Sequence, residues 1–403
     1  MLTSWGVSIY RARQVAWGKA GQNMKIAMIG HKRIPSREGG VEIVVEELSV
    51  RMAAMGHEVT AYNRKGEHVS GSQYGGNIES REYRGVRLLS VPTPQSRNLN
   101  AIVYSFLATL RAVAGGYHIL HYHAEGPGAM LIIPKLLGIR TVATVHGLDW
   151  QRSKWGGFAT KYLLWGEKMI ARHAGEVIVL SENVRQYFKE QYGREVNYIP
   201  NAINPPVHRS PSVISDKYGL DKDGFILFLA RLVPEKGLHY LLEAFRKVDT
   251  QIKLVVAGGG SHSDAYVKEI QELATKDERV IMTGFVQGEE LDELYSNCFM
   301  YVLPSDVEGM PLTLLEAMSY GCRCLTSDIP ENVSVTKSFA HAFRKADQED
   351  LREKLQDVLS GKITYPPPEE IMSYITAKYN WDEVVEKTLA LYEGLQNRAR
   401  GRS

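Results

Sequence analysis

The sequence predicts an α/β protein built from two doubly wound, Rossmann-like domains in series. Three observations predict it. At 403 residues the chain is longer than one hydrophobic core supports. Short apolar strands alternate with helix-period stretches, the pattern of parallel layering. That alternation stops at a proline-containing connector, IPNAINPPVHRSPSVISDKYGLDKDG, and restarts after it.

Composition places the chain among globular proteins. Apolar residues make up 44% and charged residues 23%, which excludes a fibrous or disordered class. The three cysteines, Cys298, Cys322 and Cys324, are too few for a disulfide framework and fit a reducing, cytoplasmic compartment. Cys322 and Cys324 stand one apart, but no second ligand pair follows at zinc-site spacing. The net charge of +2 hides an asymmetry: residues 1–200 carry 25 Lys and Arg against 15 Asp and Glu, whereas the second half is acidic. The first half is therefore expected to meet something anionic. No apolar run is long enough to span a bilayer. Residues 1–23 hold three basic and no acidic residues and lack the apolar core of a secretory signal, so they read as an N-terminal extension.

The elements follow in order. KIAMIG is a strand, HKRIPSREGG a polar loop, and VEIVVEELSVRMAAMG a helix closing on Gly56. HEVTAYNR, GVRLLSVP, HILHYH, RTVATVHG and EVIVLS continue as strands, which sets a first domain over residues 24–203. FILFLA opens the second domain, residues 204–378, with KLVVAGGG, RVIMTGFV, MYVLPS and CRCLTS as later strands. A last helix, WDEVVEKTLALYEGL, falls in residues 379–403 and could pack against either domain. Ligands of doubly wound sheets bind beyond the carboxyl ends of the strands, so the site is expected between the two domains.

The chemistry concentrates in LPSDVEGMPLTLLEAMSYG. A strand ends at Leu303, Glu308 and Gly309 lie at a bend, and Pro311 takes an early helix position where its missing N–H costs nothing. The outward N–H groups of the loop and first turn, with the helix dipole, form an anion site suited to a diphosphate. Glu308 can reach hydroxyls on whatever that phosphate carries, and Glu316, more than a turn into the helix, can accept two hydrogen bonds from a ribose. Two Glu residues eight apart prove little by themselves.

Here the chain resembles a known family. EGMPLTLLEAMSYG is similar to the E-x7-E signature of the retaining family 4 glycosyltransferases of the GT-B fold, and ARLVPEKGL to their Arg–Lys phosphate motif. TVHG, VIVLSE, YIPNAIN and the closing YNWDEVV extend the likeness over most of the chain. The resemblance implies two Rossmann-like domains facing each other across a cleft, and a nucleotide-diphosphate sugar as donor. It assigns Arg231 and Lys236 to the donor diphosphate, Gly39 and Gly40 to backbone approach to the same phosphates, and His146 to the sugar near its anomeric centre. Glu308 would orient the sugar, Glu316 would hold the nucleotide, and Gly309, Met310, Pro311 and Leu312 would line the donor site. Phe285 and Val286 would hold the base through backbone contacts. It further implies a hexose-type sugar transferred with retention, the leaving phosphate taking the acceptor's proton, onto a saccharide or lipid-linked saccharide of the cell surface.

Three motifs look like metal or cofactor sites and are read otherwise. His121 and His123 share one strand face and could suggest a metal, but an interdomain wall is favoured. AGGG at 257–260 imitates a dinucleotide fingerprint, yet Ser263 stands where the third Gly belongs. The one Asp-x-Asp, Asp221-Lys222-Asp223, lies in a turn before the second domain, so no cofactor and no required metal are expected.

The stretch from Trp150 to Arg172 mixes five basic residues with Trp, Phe and Tyr. It suits an anionic bilayer surface as well as it suits an ordinary helix with a basic face. Peripheral binding at the inner face of the plasma membrane is therefore expected, and no nucleic-acid partner. Other readings are a nucleotide-sugar epimerase of the same architecture, a dinucleotide oxidoreductase and a non-enzymatic sugar-binding protein. The first leaves the two paired motifs unexplained, the second needs an intact Gly fingerprint, and the third needs a secretory signal.

Overall fold

The computed structural model describes residues 23–66, 81–94, 99–151, 157–260 and 264–400. Most of the N-terminal extension, part of the basic-aromatic stretch and Ser263 lie outside the described residues.

The N-terminal sheet is formed by β1 (Lys25–Ile29), β2 (Glu58–Lys65), β3 (Glu82–Tyr83), β4 (Val86–Pro92), β5 (Ile119–His123), β6 (Thr141–Val145), β7 (Glu176–Val179) and β8 (Asn197–Tyr198). Its order is β3-β4-β2-β1-β5-β6-β7-β8. β1 pairs in parallel with β2 and β5, and β5 with β6; the short edge strand β3 is antiparallel to β4. Every residue of β5 and β6 is buried, because helices cover both faces of a parallel sheet.

The second sheet contains β9 (Phe225–Leu229), β10 (Lys253–Ala257), β11 (Val280–Gly284), β12 (Met300–Leu303), β13 (Cys324–Ser327) and β14 (His341–Phe343), in the order β11-β10-β9-β12-β13-β14. Its neighbouring strands pair in parallel. One face packs Ile226, Phe228, Leu254 and Val302 against Leu238, Leu241 and Phe245 of the Leu238–Phe245 helix. The strand order reverses direction between β9 and β12, the kind of switch point where such sheets place ligands.

By internal contacts the chain forms two compact units. One comprises Met1–Thr144, Tyr162–Ile178 and Val385–Ser403, the other Val145–Lys161 and Val179–Val384. The closing helix, Trp381–Arg400, thus runs out of the second unit, and its residues from Val385 onward belong to the first. There Tyr392 lies 2.6 Å from Nδ1 of His121, and Arg398 pairs with Glu176. In the second unit Ile203 N–H donates to the Tyr379 carbonyl at 3.2 Å, which ties the connector to the start of that helix. No helix among the described residues is long and apolar enough to cross a membrane.

Candidate active site

The second unit gathers most of the expected site residues at the carboxyl ends of its strands. Arg231 follows β9 and is half-buried. The next turn, Pro234–Lys236, ends at Gly237, whose φ of +67° is left-handed and whose missing Cβ would lie 1.9 Å from the Pro304 carbonyl oxygen. Only glycine permits that approach, and it sets the Lys236 loop against the loop that leaves β12. Lys236 Nζ lies 2.5 Å from Glu308 Oε1, with side chains 15% and 6% exposed. The Ser305 hydroxyl donates to the same oxygen at 2.6 Å. A buried ion pair with an added hydroxyl is a geometry in which attraction offsets desolvation.

The Glu308 loop also meets TVHG. A Cβ on Gly309 would fall 1.7 Å from the His146 carbonyl oxygen, so the two backbones are in direct contact. His146 itself is buried. The neighbouring Met310 receives the Asn201 backbone N–H on its sulfur at 3.0 Å, placing YIPNAIN beside the same loop.

Pro311 caps the Leu312–Ser319 helix from outside, with φ −79° and ψ 88°, and does not sit in its first turn. Its carbonyl accepts from Leu314 and Leu315, while the first N–H groups of any helix lack an intrahelical acceptor and favour an anion. Glu316 lies on the next turn. The Tyr295 hydroxyl is 3.1 Å from Glu316 Oε2 and 3.2 Å from the Thr313 carbonyl. Tyr301 donates to the Thr313 hydroxyl at 2.8 Å. Burial, and then the Glu316 charge, push the Tyr295 phenol well above its ordinary value. Burial does the same to Tyr301, opposed by its Thr313 bond and reinforced by the charges of Glu308 and Glu316. Tyr301 thus stands within electrostatic reach of both carboxylates, and each phenol stays a protonated donor.

Phe285 is half-buried and Val286 buried just beyond β11. A Cβ added to Gly259 would meet the Phe285 Cβ at 3.9 Å, and Leu232 N–H donates to the Gly259 carbonyl at 3.0 Å. The AGGG segment, expected as a turn, instead runs on from the end of β10 and forms a parallel bridge from Gly260 to Leu232.

Gly39 and Gly40 belong to the other unit. Gly39 caps the Gly40–Ala54 helix with extended backbone, and the Glu42 carboxylate occupies the space beside its Cα. His121 and His123 are fully buried, their rings stacked with centroids 4.2 Å apart. The ring nitrogens of His121 reach Tyr392 and, at 2.7 Å, the Thr144 hydroxyl. Those contacts make it a core residue of the first unit.

Sequence reasoning missed Tyr295, Tyr301 and Ser305. Ser305 lies three residues before Glu308 inside the motif. Tyr295 and Tyr301 carry no local signal.

Residues 38–206 match the family described as Glycosyltransferase Family 4, and residues 212–381 match Glycosyl transferases group 1. The chain is 23% identical over 372 residues to a phosphatidylinositol N-acetylglucosaminyltransferase gpi3 subunit of Schizosaccharomyces pombe, covering 89% of this chain and 78% of that one. It is 25% identical over 293 residues to a UDP-Gal:alpha-D-GlcNAc-diphosphoundecaprenol alpha-1,3-galactosyltransferase of Escherichia coli, covering 68% and 75%. Among solved structures, sucrose-phosphate synthase from Thermosynechococcus elongatus superposes with a TM-score of 0.78 at 20% identity, covering 93% of this chain and all of that one. Two Rossmann-like domains with this strand order form the GT-B fold. The order of the two matched regions, the fold and the E-x7-E segment agree, and the chain belongs to the family 4 glycosyltransferases of the GT-B fold.

Proposed function

We propose that the protein transfers a hexose-type sugar from a nucleotide-diphosphate sugar to a saccharide or lipid-linked saccharide in cell-surface polysaccharide synthesis, with retention and without a required metal. The observation that carries the reading is the buried Lys236–Glu308 pair beside the Leu312–Ser319 helix start. In this reading residues 24–203 take the acceptor and residues 204–378 the donor. The donor diphosphate, bearing two negative charges, draws the Lys236 ammonium away from Glu308. The same step frees Glu308 for a sugar hydroxyl.

Arg231, Lys236 and the N–H groups of Gly309, Met310 and Leu312 hold the diphosphate beside Pro311, Glu316 the ribose, and the backbone at Phe285 and Val286 the base. His146 faces the sugar. The anomeric carbon–oxygen bond breaks, the acceptor oxygen attacks from the same face, and the leaving phosphate takes its proton. Cationic groups on that phosphate lower the barrier by stabilising the departing charge.

A lipid-linked acceptor and an inner-leaflet location are supported by the relatives that act on phosphatidylinositol and on a diphosphoundecaprenol sugar. They are also supported by exposed apolar side chains on helices of the first unit: Phe106 and Leu110 on Leu99–Val113, Leu136 and Leu137 at the end of Ile132–Leu136, and Leu164 and Trp165 on Gly157–His173. Apolar groups beside basic residues bind anionic lipid surfaces.

The test is a thermal-shift screen of nucleotide sugars, followed by an assay for nucleoside diphosphate released only when an acceptor is added. Release without acceptor dependence, or no donor that raises the melting point, sinks the proposal. The anomeric configuration of the product, read by NMR, decides retention. Co-sedimentation with anionic liposomes decides the membrane surface.

A further inference from the structure

The loop that follows β1 is held from beneath by side chains of neighbouring elements. Asn63 on β2 accepts from Ile34 N–H at 3.1 Å and returns its amide to the Ile34 carbonyl at 2.9 Å. Glu42 accepts from Lys32 N–H at 3.0 Å and Glu46 from Ser36 N–H at 3.3 Å, both from the Gly40–Ala54 helix. This clamp buries Arg33, which is only 6% exposed. Its Nε and Nη1 are sealed from solvent and have no hydrogen-bond partner.

That arrangement is costly. A guanidinium stays charged in proteins and carries five donors, and buried charged donors are ordinarily paired. The acids around it are committed elsewhere. Glu42 and Glu46 hold the loop backbone, Glu47 pairs with Arg51 and Arg37, and Glu38 lies 3.7 Å from Lys32. Burial pulls the Arg33 guanidinium below its ordinary value, and the Glu38 charge offsets this in part. Among the described residues no group hydrogen-bonds those two nitrogens, and an anion is the partner their chemistry favours.

We propose that Arg33 is a binding residue for a phosphate group of the acceptor. The assignment rests on the transfer reading above, in which the acceptor is lipid-linked. Phosphate matches both the forked donor geometry and the excess of Lys and Arg in the first 200 residues. The donor's phosphates have their own cations in Arg231 and Lys236.

The test compares wild type with Arg33→Met, Arg33→Lys and Lys236→Met by thermal shift, using inorganic phosphate and, separately, UDP, GDP and ADP as probes. Arg33→Met is expected to melt higher than wild type in phosphate-free buffer, because it removes an uncompensated buried charge. It is also expected to lose at least tenfold in phosphate affinity while nucleoside diphosphate binding is unchanged. Arg33→Lys keeps part of the phosphate response, and Lys236→Met keeps it while losing the nucleotide. An Arg33→Met protein that melts lower than wild type and responds to phosphate as before makes Arg33 a structural residue and overturns the proposal. Equal losses of phosphate and nucleotide affinity assign the anion to the donor and overturn it as well. A wild type that binds no nucleoside diphosphate sinks the transfer reading and the acceptor assignment with it, while the phosphate comparison still decides whether Arg33 binds an anion.

Discussion

The Tyr295 hydroxyl stands 3.1 Å from the Glu316 carboxylate and 3.2 Å from the Thr313 carbonyl, so one phenol proton is shared between a candidate ribose ligand and the backbone of its own helix. The Tyr295 ring also stacks on Tyr320, which fixes the ring and its hydroxyl oxygen beside Glu316. Glu316 is thereby oriented before any donor arrives.

Tyr295→Phe tests this orientation. The ring and its stacking survive, and a hydrogen bond to a charged group worth about 1.5–3 kcal/mol is lost. Donor KM is expected to rise roughly tenfold, with kcat nearly unchanged. Steady-state kinetics decide it, and a fall in kcat at constant KM would remove Glu316 from the binding role.

How much of this was legible beforehand follows from the physics of each element. β1, β5, β6, β9 and β12 are buried on both faces, so their apolar runs read directly as strands. β3, β8 and β14 are two or three residues long, and nothing that short has a period to read. Glu308 and Lys236 lie in motifs whose spacing is local. Tyr295 reaches Glu316 from another helix, and Arg33 is buried by a clamp from β2 and a helix; tertiary packing alone creates both relationships.

The Lys236–Glu308 pair predicts unequal effects from its two partners. Lys236→Met leaves the Glu308 carboxylate, 6% exposed, with the Ser305 hydroxyl in place of a cation. Glu308→Gln keeps an acceptor of the same shape. Lys236→Met is therefore expected to lower the melting point and to weaken donor binding, since breaking a buried pair costs about 3–5 kcal/mol. Glu308→Gln should fold normally and lose kcat by about 10²-fold or more. Melting curves and single-turnover rates separate the two, and equal destabilisation by both would show the pair to be purely structural.

Gly309 carries a steric prediction. A Cβ there would lie 1.7 Å from the His146 carbonyl oxygen, and backbone cannot give way as a flexible side chain can. Gly309→Ala must push the Glu308 loop off TVHG. Misplacement of a reacting group by about 1 Å costs on the order of 10² in rate, so kcat should fall by that much with circular dichroism unchanged. Activity within threefold of wild type would mean that the contact does not position the site.

His31 sets an acid limit on the first unit. Its ring is fully buried, Nε2 lies 2.9 Å from the Asn63 Oδ1 that also accepts from Ile34 N–H, and Nδ1 has no partner. Desolvation lowers its pKa from 6.5 to about 4, against the opposing Asn63 bond. The folded state therefore keeps His31 neutral where the unfolded chain has protonated it. Between pH 6.5 and about 4 the unfolded state binds the extra proton, so stability falls as pH falls through that window and levels off below it. The loss is on the order of 3 kcal/mol at about 1.4 kcal/mol per pH unit. His31→Gln retains a donor for Asn63 and removes the titration. Urea unfolding at pH 7.5 and pH 4.5 should show the wild type losing more stability than the variant between the two, by roughly 2–3 kcal/mol. An equal loss in both proteins would place the acid sensitivity elsewhere in the chain.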